Sequence, residues 1–344
     1  MNLKQSATMA ILLALIGLIS WELYWRSNGY YPTIEDNDAL WAAQRKRVDT
    51  PNPNDVIFIG SSRIHFDIQL DKWNLYTGLS SIMLAQPGSS PLPIFQDLVE
   101  NTEFNGTIIV GVTPGLFFST TYPEARPWKW AQSKVDYFYK QTYAQKFNHL
   151  LSIPLQEQFV FINESEMDDA INLKSLVNKF KIGNRNDSKD PPFFEFSDYT
   201  IERNSRMTIK CATDTAFANT IKKVWSVFML DTTLPPPDKN STTKFFLEQA
   251  KKFEARGGNL ILVRCPSSGI LRDGEQMGLP RERFWDSLIS VGNFKSYHFE
   301  DIYETKNLDC PEWSHLSGPD ADLFTEVLAN LLIEDKALPN LNTN

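Results

Sequence analysis

Five short apolar runs, each closed by a turn, restrict the fold of this chain more than any other feature of its sequence. They are Val56–Ile59, Ser81–Ala85, Thr107–Val112, Asn259–Val263 and Ser296–Phe299. Runs this short, rich in Val and Ile, fit strands buried on both faces. Helix-compatible sequence lies beside them, as in Pro91–Val99, which begins with serine and proline. Thr243–Arg256 stops at Gly257-Gly258, and Asp320–Ile333 carries Leu323, Phe324, Val327, Leu328 and Leu331 along one face. Strands joined through helices make a parallel sheet, so the expectation is an α/β fold with about five parallel strands.

The rhythm breaks once. From about 115 to 240 the chain holds aromatic and polar helical stretches, a Pro/Asp-rich loop at Asn184–Pro192, and the punctuation Leu234–Pro237. This reads as a long, mostly helical insertion serving as a lid, a membrane-facing surface or a partner platform. Ahead of the first strand, residues 27–54 read as a stalk or first helix, with Asp38–Arg47 helix-compatible and Pro51 and Pro53 ending it. Its Arg45-Lys46-Arg47 run fits a solvated helix face better than a site for anionic lipid headgroups. The α/β domain is expected over 55–338 and a short tail over 339–344.

The first 26 residues differ in kind. From Ala7 to Trp25 the sequence is uncharged except for Glu22, close to the ~20 residues of a membrane-spanning helix. Trp21, Tyr24 and Trp25 suit an aromatic interface belt. Bulky aromatics where a cleavage site would need small residues favour an uncleaved anchor over a signal peptide. Lys4 on the short side argues for a cytoplasmic amino terminus, with Arg26 pulling the other way. The expected localisation is the cytoplasmic membrane, single-pass, with the main domain extracytoplasmic (periplasmic). A net charge of −8 without a dense basic face argues against nucleic acid as a partner.

Three cysteines (Cys211, Cys265, Cys310) and four histidines (His65, His149, His298, His315) show no zinc spacing, so no metal or other cofactor is expected. In an exported protein one disulfide fits, with Cys265–Cys310 the preferred pair and Cys211 filling the core.

The chemistry gathers at the carboxyl ends of the apolar runs, where open α/β sheets hold their ligands. Val56–Ile59 leads into Gly60-Ser61-Ser62-Arg63, which presents a serine hydroxyl at the crevice. Near the other end, Glu312 and His315 stand three residues apart, a spacing that lets a carboxylate orient an imidazole. A histidine so held needs a nucleophile, and Ser62 is the candidate. Arg63 either binds an anionic substrate group or pairs with a carboxylate, and Arg264 stands at the same sheet edge. His65 reads as structural, and Trp313 as packing for the loop around His315.

Gly60-Ser61-Ser62 after the first strand, Gly88 after the second and Glu312-x-x-His315 near the end together resemble the SGNH (GDSL-type) hydrolase superfamily. Gly-Ser-Ser-Arg behind an anchor is similar to its bacterial envelope branch, associated with membrane-bound O-acyltransferases. The resemblance covers roughly 55–115 and 242–333 and implies a flavodoxin-like three-layer α/β/α sandwich. It also implies acyl-ester chemistry, with Ser62 the nucleophile, His315 the base and Glu312 the orienting acid. The N–H groups of Ser62 and Gly88 would form an oxyanion hole, with Thr113 standing where the family places an asparagine. Glu312 likewise replaces the usual aspartate, and Asp309 is a substitute acid. The implied partners are an acylated carbohydrate or acyl donor and a membrane-bound O-acyltransferase. The function expected is an O-acyltransferase or esterase acting on an envelope glycan or related acylated substrate; the alternative is an inactive SGNH-like binding or assembly component.

Overall fold

A computed structural model of the chain describes residues 2–50, 52–119, 125–162, 196–229 and 237–339. The Asn184–Pro192 loop, the prolines at 235 and 236 and the tail from 340 lie outside the described residues. The chain divides into two compact units, one of 1–35 with 142–190 and the other of 36–141 with 191–344.

The larger unit is built on one parallel sheet. Its strands are β1 (Val56–Ile59), β2 (Ser81–Met83), β3 (Thr107–Gly111), β6 (Asn259–Arg264) and β7 (Lys295–His298). They run in the order β2-β1-β3-β6-β7, and every neighbouring pair is parallel. Counted within this sheet alone the order is 2-1-3-4-5, the flavodoxin-like arrangement. The remaining strands, β4 (Ser197–Tyr199) and β5 (Ser205–Met207), form a separate antiparallel hairpin.

Side chains alternate across the sheet with period two. Ile57, Ile59, Ile82, Leu84, Ile108, Val110, Leu260 and Leu262 pack on one face beneath the helices Asp38–Arg47, Leu92–Glu100, Arg126–Lys140 and Lys239–Ala255. Val56, Phe58, Met83, Ile109, Ile261 and Val263 face the other way, against Ser62–Asp67, Leu70–Thr77 and Gly318–Glu334. The result is an α/β/α sandwich with a helical insertion. In the last helix Ser317 accepts the Asp320 N–H as a cap, and Phe324, Leu328 and Leu332 are buried one turn apart. Each such side chain contributes about 1.5–3 kcal/mol on leaving water.

Three expectations change. The basic run is a solvated face only at Lys46 and Arg47: Arg45 is fully buried, its Nε 2.6 Å from Asp97 Oδ2, while Tyr139 donates to Asp97 Oδ1 at 2.7 Å. Helix Asp38–Arg47 lies flat on the core through Leu40 and Trp41, and this turns Arg45 inward. The insertion is also less separate than its composition suggests. Helix Arg126–Lys140 covers the sheet through Ala131 and Val135, and only 142–190 groups with the amino-terminal segment. No disulfide forms: Cys211, Cys265 and Cys310 are all buried free thiols. Burial pushes the Cys211 thiol up to about 12 and raises Cys265 and Cys310 as well.

His65 is structural. It is fully buried and donates from Nε2 to the Arg203 carbonyl at 2.7 Å. Arg203, also buried, is held by both Asp36 oxygens and donates to the carbonyls of Met83 and Ala85, tying the hairpin to the end of β2. Burial, reinforced by the Arg203 charge, brings the His65 pKa down to about 4, and burial with Arg264 brings His298 down to about 3. Both imidazoles are therefore neutral in the fold, whereas unfolded imidazole takes a proton below about 6.5. Stability is full above that pH and falls as pH drops toward 4, by about 3 kcal/mol at the limit for His65. The melting temperature is expected to fall between pH 7 and 5, less steeply in His65→Gln. A wild-type profile flat over that range would rule out the buried neutral imidazoles.

The smaller unit contains the helix Leu3–Ser27, long and apolar enough to cross a membrane, with its apolar window entirely unburied. Its carboxyl end meets the short turn Val160–Ile162, which follows the helix Tyr143–Gln156. Glu22 accepts the Val160 and Phe161 N–H groups, Arg26 donates to the Gln158 carbonyl at 2.8 Å, and Trp25 packs on Val160.

Candidate active site

Ser62 and Arg63 follow β1, Gly88 follows β2, Thr113 follows β3 and Arg264 ends β6, all at the carboxyl end of the sheet, whose strand order reverses between β1 and β3. Gly60 makes the turn out of β1 with φ +152°, and a Cβ there would lie 2.6 Å from Ile64 Cγ2 and 3.1 Å from Gly111 Cα. Only glycine lets the turn pass this close to β3. The two serines that follow have different fates. Ser61 is buried, with Oγ 2.6 Å from Thr113 Oγ1, a bond that joins the ends of β1 and β3. Ser62 opens the helix Ser62–Asp67, is the one residue of 61–70 that is not buried, and its hydroxyl has no hydrogen-bond partner among the described residues.

Glu312 and His315 come together as their spacing predicts. Glu312 is completely buried; its Oε1 accepts from His315 Nδ1 at 2.9 Å, from the His315 N–H at 2.6 Å and from the Ser314 N–H at 3.2 Å. Its Oε2 accepts from Trp225 Nε1. A carboxylate on Nδ1 places the proton there and leaves Nε2 with its lone pair, the tautomer of a general base. His315 Nε2 is buried and unpartnered. Asp309, the substitute acid, is exposed and makes no bond to the imidazole.

Ser62 and His315 are not hydrogen-bonded to each other. The imidazole instead lies against Phe66, ring centroids 4.4 Å apart, with Phe196 at 5.6 Å and Trp225 at 6.1 Å. Phe66 is one helical turn from Ser62 on the same face, where such residues sit about 5–6 Å apart. The imidazole thus packs on the short helix that Ser62 opens. Free active sites are often looser than their substrate complexes.

Asp67, at the other end of that helix, was not anticipated from the sequence. Its buried Oδ1 accepts the Leu316 N–H at 3.0 Å, holding the residue after His315. Burial raises its carboxyl well above the usual carboxylate range. Glu275 was missed as well. Arg63 Nη2 lies 2.7 Å and Arg264 Nη2 2.5 Å from its two oxygens, and Ser267 donates to it at 2.9 Å. Burial alone would raise Glu275, but the two guanidiniums outweigh it and hold it at about 2. Both arginines are buried, so this cluster underpins the serine turn. Phe196 and Trp225 come from the insertion, and pattern reading along the chain gives no signal for them. Trp313 does pack the loop, its indole against Gly269.

Among the described residues the Gly88 N–H has no acceptor, nor does that of Ser62 at the first position of its helix. Thr113 Oγ1 is committed to Ser61. Gly88 has φ +64°, and a Cβ there would meet the Trp130 ring at 2.6 Å. Gly88→Ala is expected to lower stability by about 1–3 kcal/mol, from the left-handed backbone and the displaced indole. Adding Trp130→Ala should recover the contact component alone, as read from the urea midpoint. An unchanged midpoint in Gly88→Ala would remove this account.

Among the described residues, no group of three or more His, Cys, Asp or Glu side chains is placed to hold a metal. No protein-family model matches the chain, and neither does any curated protein.

Proposed function

We propose that this chain is a membrane-anchored, SGNH-type acyl-ester enzyme working outside the cytoplasm, as an O-acyltransferase or esterase on an envelope glycan or related acylated substrate. One observation carries the reading: the completely buried Glu312 accepts from His315 Nδ1 and leaves Nε2 unpartnered among the described residues, on a ring that packs against Phe66 of the helix that Ser62 opens. Ser62 Oγ attacks the ester carbonyl carbon while His315 Nε2 takes its proton. The carbonyl oxygen, now negative, receives the N–H groups of Ser62 and Gly88. The ester C–O bond then breaks, the imidazolium returns the proton to the leaving alcohol, and an acyl group remains on Ser62. Water or a sugar hydroxyl, deprotonated by the same Nε2, takes the acyl group and frees the serine. A membrane-bound O-acyltransferase partner fits the helix Leu3–Ser27, which would keep the domain beside a donor at the membrane.

A second reading, a non-catalytic binding or assembly component, is favoured by the missing Ser62–His315 bond and by the commitment of the Thr113 hydroxyl to Ser61. A fluorophosphonate probe separates the two. The enzyme becomes covalently labelled, whereas a folded chain that resists labelling over hours is a binding component. Comparing acetyl-ester hydrolysis with and without an oligosaccharide acceptor then divides the enzyme reading. Acyl transfer onto the sugar identifies a transferase, and water as sole acceptor identifies an esterase.

A further inference from the structure

The helix Tyr143–Gln156 carries an apolar stripe that nothing described in its own unit covers. Tyr143, Phe147, Leu150, Leu151 and Pro154 fall on one side at helical spacing, with Gln145, His149, Ser152 and Gln156 opposite. Phe147 is 63 % exposed, Leu150 69 % and Leu151 52 %. Leaving three such side chains in water is unfavourable, and a stripe of this kind marks an interaction surface.

The same unit indicates what meets it. The turn Val160–Ile162 is clamped to the last turns of the helix Leu3–Ser27 by Glu22 and by the packing of Trp25 on Val160. Trp21, Tyr24 and Trp25 form an aromatic cluster at that level, the residue types that settle at a membrane–water boundary. Gln156 is bound a second time, its Oε1 accepting the Glu35 N–H at 3.1 Å just beyond the anchor. Val160 follows Gln156 by four positions, and such a segment reaches at most about 14 Å. The carboxyl end of the amphipathic helix is therefore held at the interface end of the anchor.

We infer that Tyr143–Gln156 is an interfacial helix lying in the plane of the bilayer that holds the anchor, with Phe147, Leu150 and Leu151 inserted among the lipid headgroups and upper acyl chains. Helices of this kind sink their apolar face about 5–10 Å into that boundary. The inference rests on Leu3–Ser27 spanning the membrane. Lying flat is the orientation that buries the whole stripe while Gln145, His149 and Ser152 face water. The segment thereby fixes the tilt and rotation of the chain where it leaves the membrane.

The test uses the full-length chain in phosphatidylethanolamine/phosphatidylglycerol vesicles, with an environment-sensitive fluorophore on Phe147→Cys, Leu151→Cys, Gln145→Cys or Leu13→Cys. The native cysteines are buried, and unmodified protein sets the labelling background. Labels at 147 and 151 are expected to be quenched by lipids with a nitroxide high on the acyl chain. Aqueous iodide should quench them several-fold less than the label at 145. The Leu13 label reports the anchor alone, through quenching by a deep nitroxide. Deep quenching at 13 with free iodide access at 147 and 151 overturns the interfacial helix and leaves the anchor standing. Labels at 147 and 151 shielded from iodide yet untouched by nitroxide lipids also overturn it, since protein then covers the stripe. An unquenched Leu13 label removes the anchor reading and the inference with it.

Discussion

If Ser62 is the nucleophile proposed above, Ser62→Ala is expected to abolish fluorophosphonate labelling and to lower acyl-ester turnover by about 10³–10⁶, the range over which serine–histidine–acid sites respond to loss of the nucleophile. The fold should be indifferent to the change, since the Ser62 hydroxyl bonds to none of the described residues and the residue is not buried. Ser61→Ala behaves in the opposite sense. It removes the 2.6 Å bond to Thr113 and leaves a buried hydroxyl without its partner, so stability drops by about 1–3 kcal/mol while labelling persists. The pair of substitutions thus assigns the two adjacent serines to separate tasks. Labelling that survives Ser62→Ala and disappears in Ser61→Ala would reverse the assignment.

Glu312→Gln is the second large effect. The carboxylate accepts four N–H donors, two of them from the backbone next to His315 and one each from the imidazole and the Trp225 indole. A carboxamide keeps the shape but brings its own N–H₂ among those donors and offers a single oxygen. One donor is left facing another, and the imidazole loses the carboxylate that stabilises its protonated form. Turnover should fall by about 10⁴, as for replacement of the orienting acid in comparable triads. Removing one partner of a buried charged network costs about 3–5 kcal/mol, read from the urea midpoint. Asp309→Asn, at an exposed position, should leave both quantities unchanged. Equal losses in the two variants would return the acid's role to a shared or different group.

The sheet was legible because strands buried on both faces leave continuous apolar runs, and β1, β3 and β6 appear in the sequence almost at their observed limits. The Glu312–His315 contact was legible because three residues fit within one local turn. What stayed hidden comes from segments far apart in sequence. Phe196 and Trp225 reach the imidazole from a region whose composition resembles any aromatic surface. Glu275 sits on a helix with no buried residues, and only the folded sheet edge brings Arg63 and Arg264 to it. Arg45 looked solvated because two basic neighbours follow it, and burial depended on which side of that helix met Asp97. Asp67 was lost in plain view, five residues beyond Ser62, because its partner lies near the other end of the chain.

The helix Ser62–Asp67 spans six residues, begins with the serine and ends with the carboxyl that holds Leu316. It acts as a ruler. Spacing between hydroxyl and imidazole is set by the length of one short rigid element, and not by the long path of chain that separates them in sequence. Lengthening or trimming the excursion between β3 and β6 therefore leaves that spacing alone, provided Phe196 and Trp225 still reach the imidazole. A single residue inserted into the helix would rotate its far end by about 100° and pull the Asp67 carboxyl away from Leu316. The distance between the serine and the residue after the imidazole is thus set by one of the smallest elements of the fold.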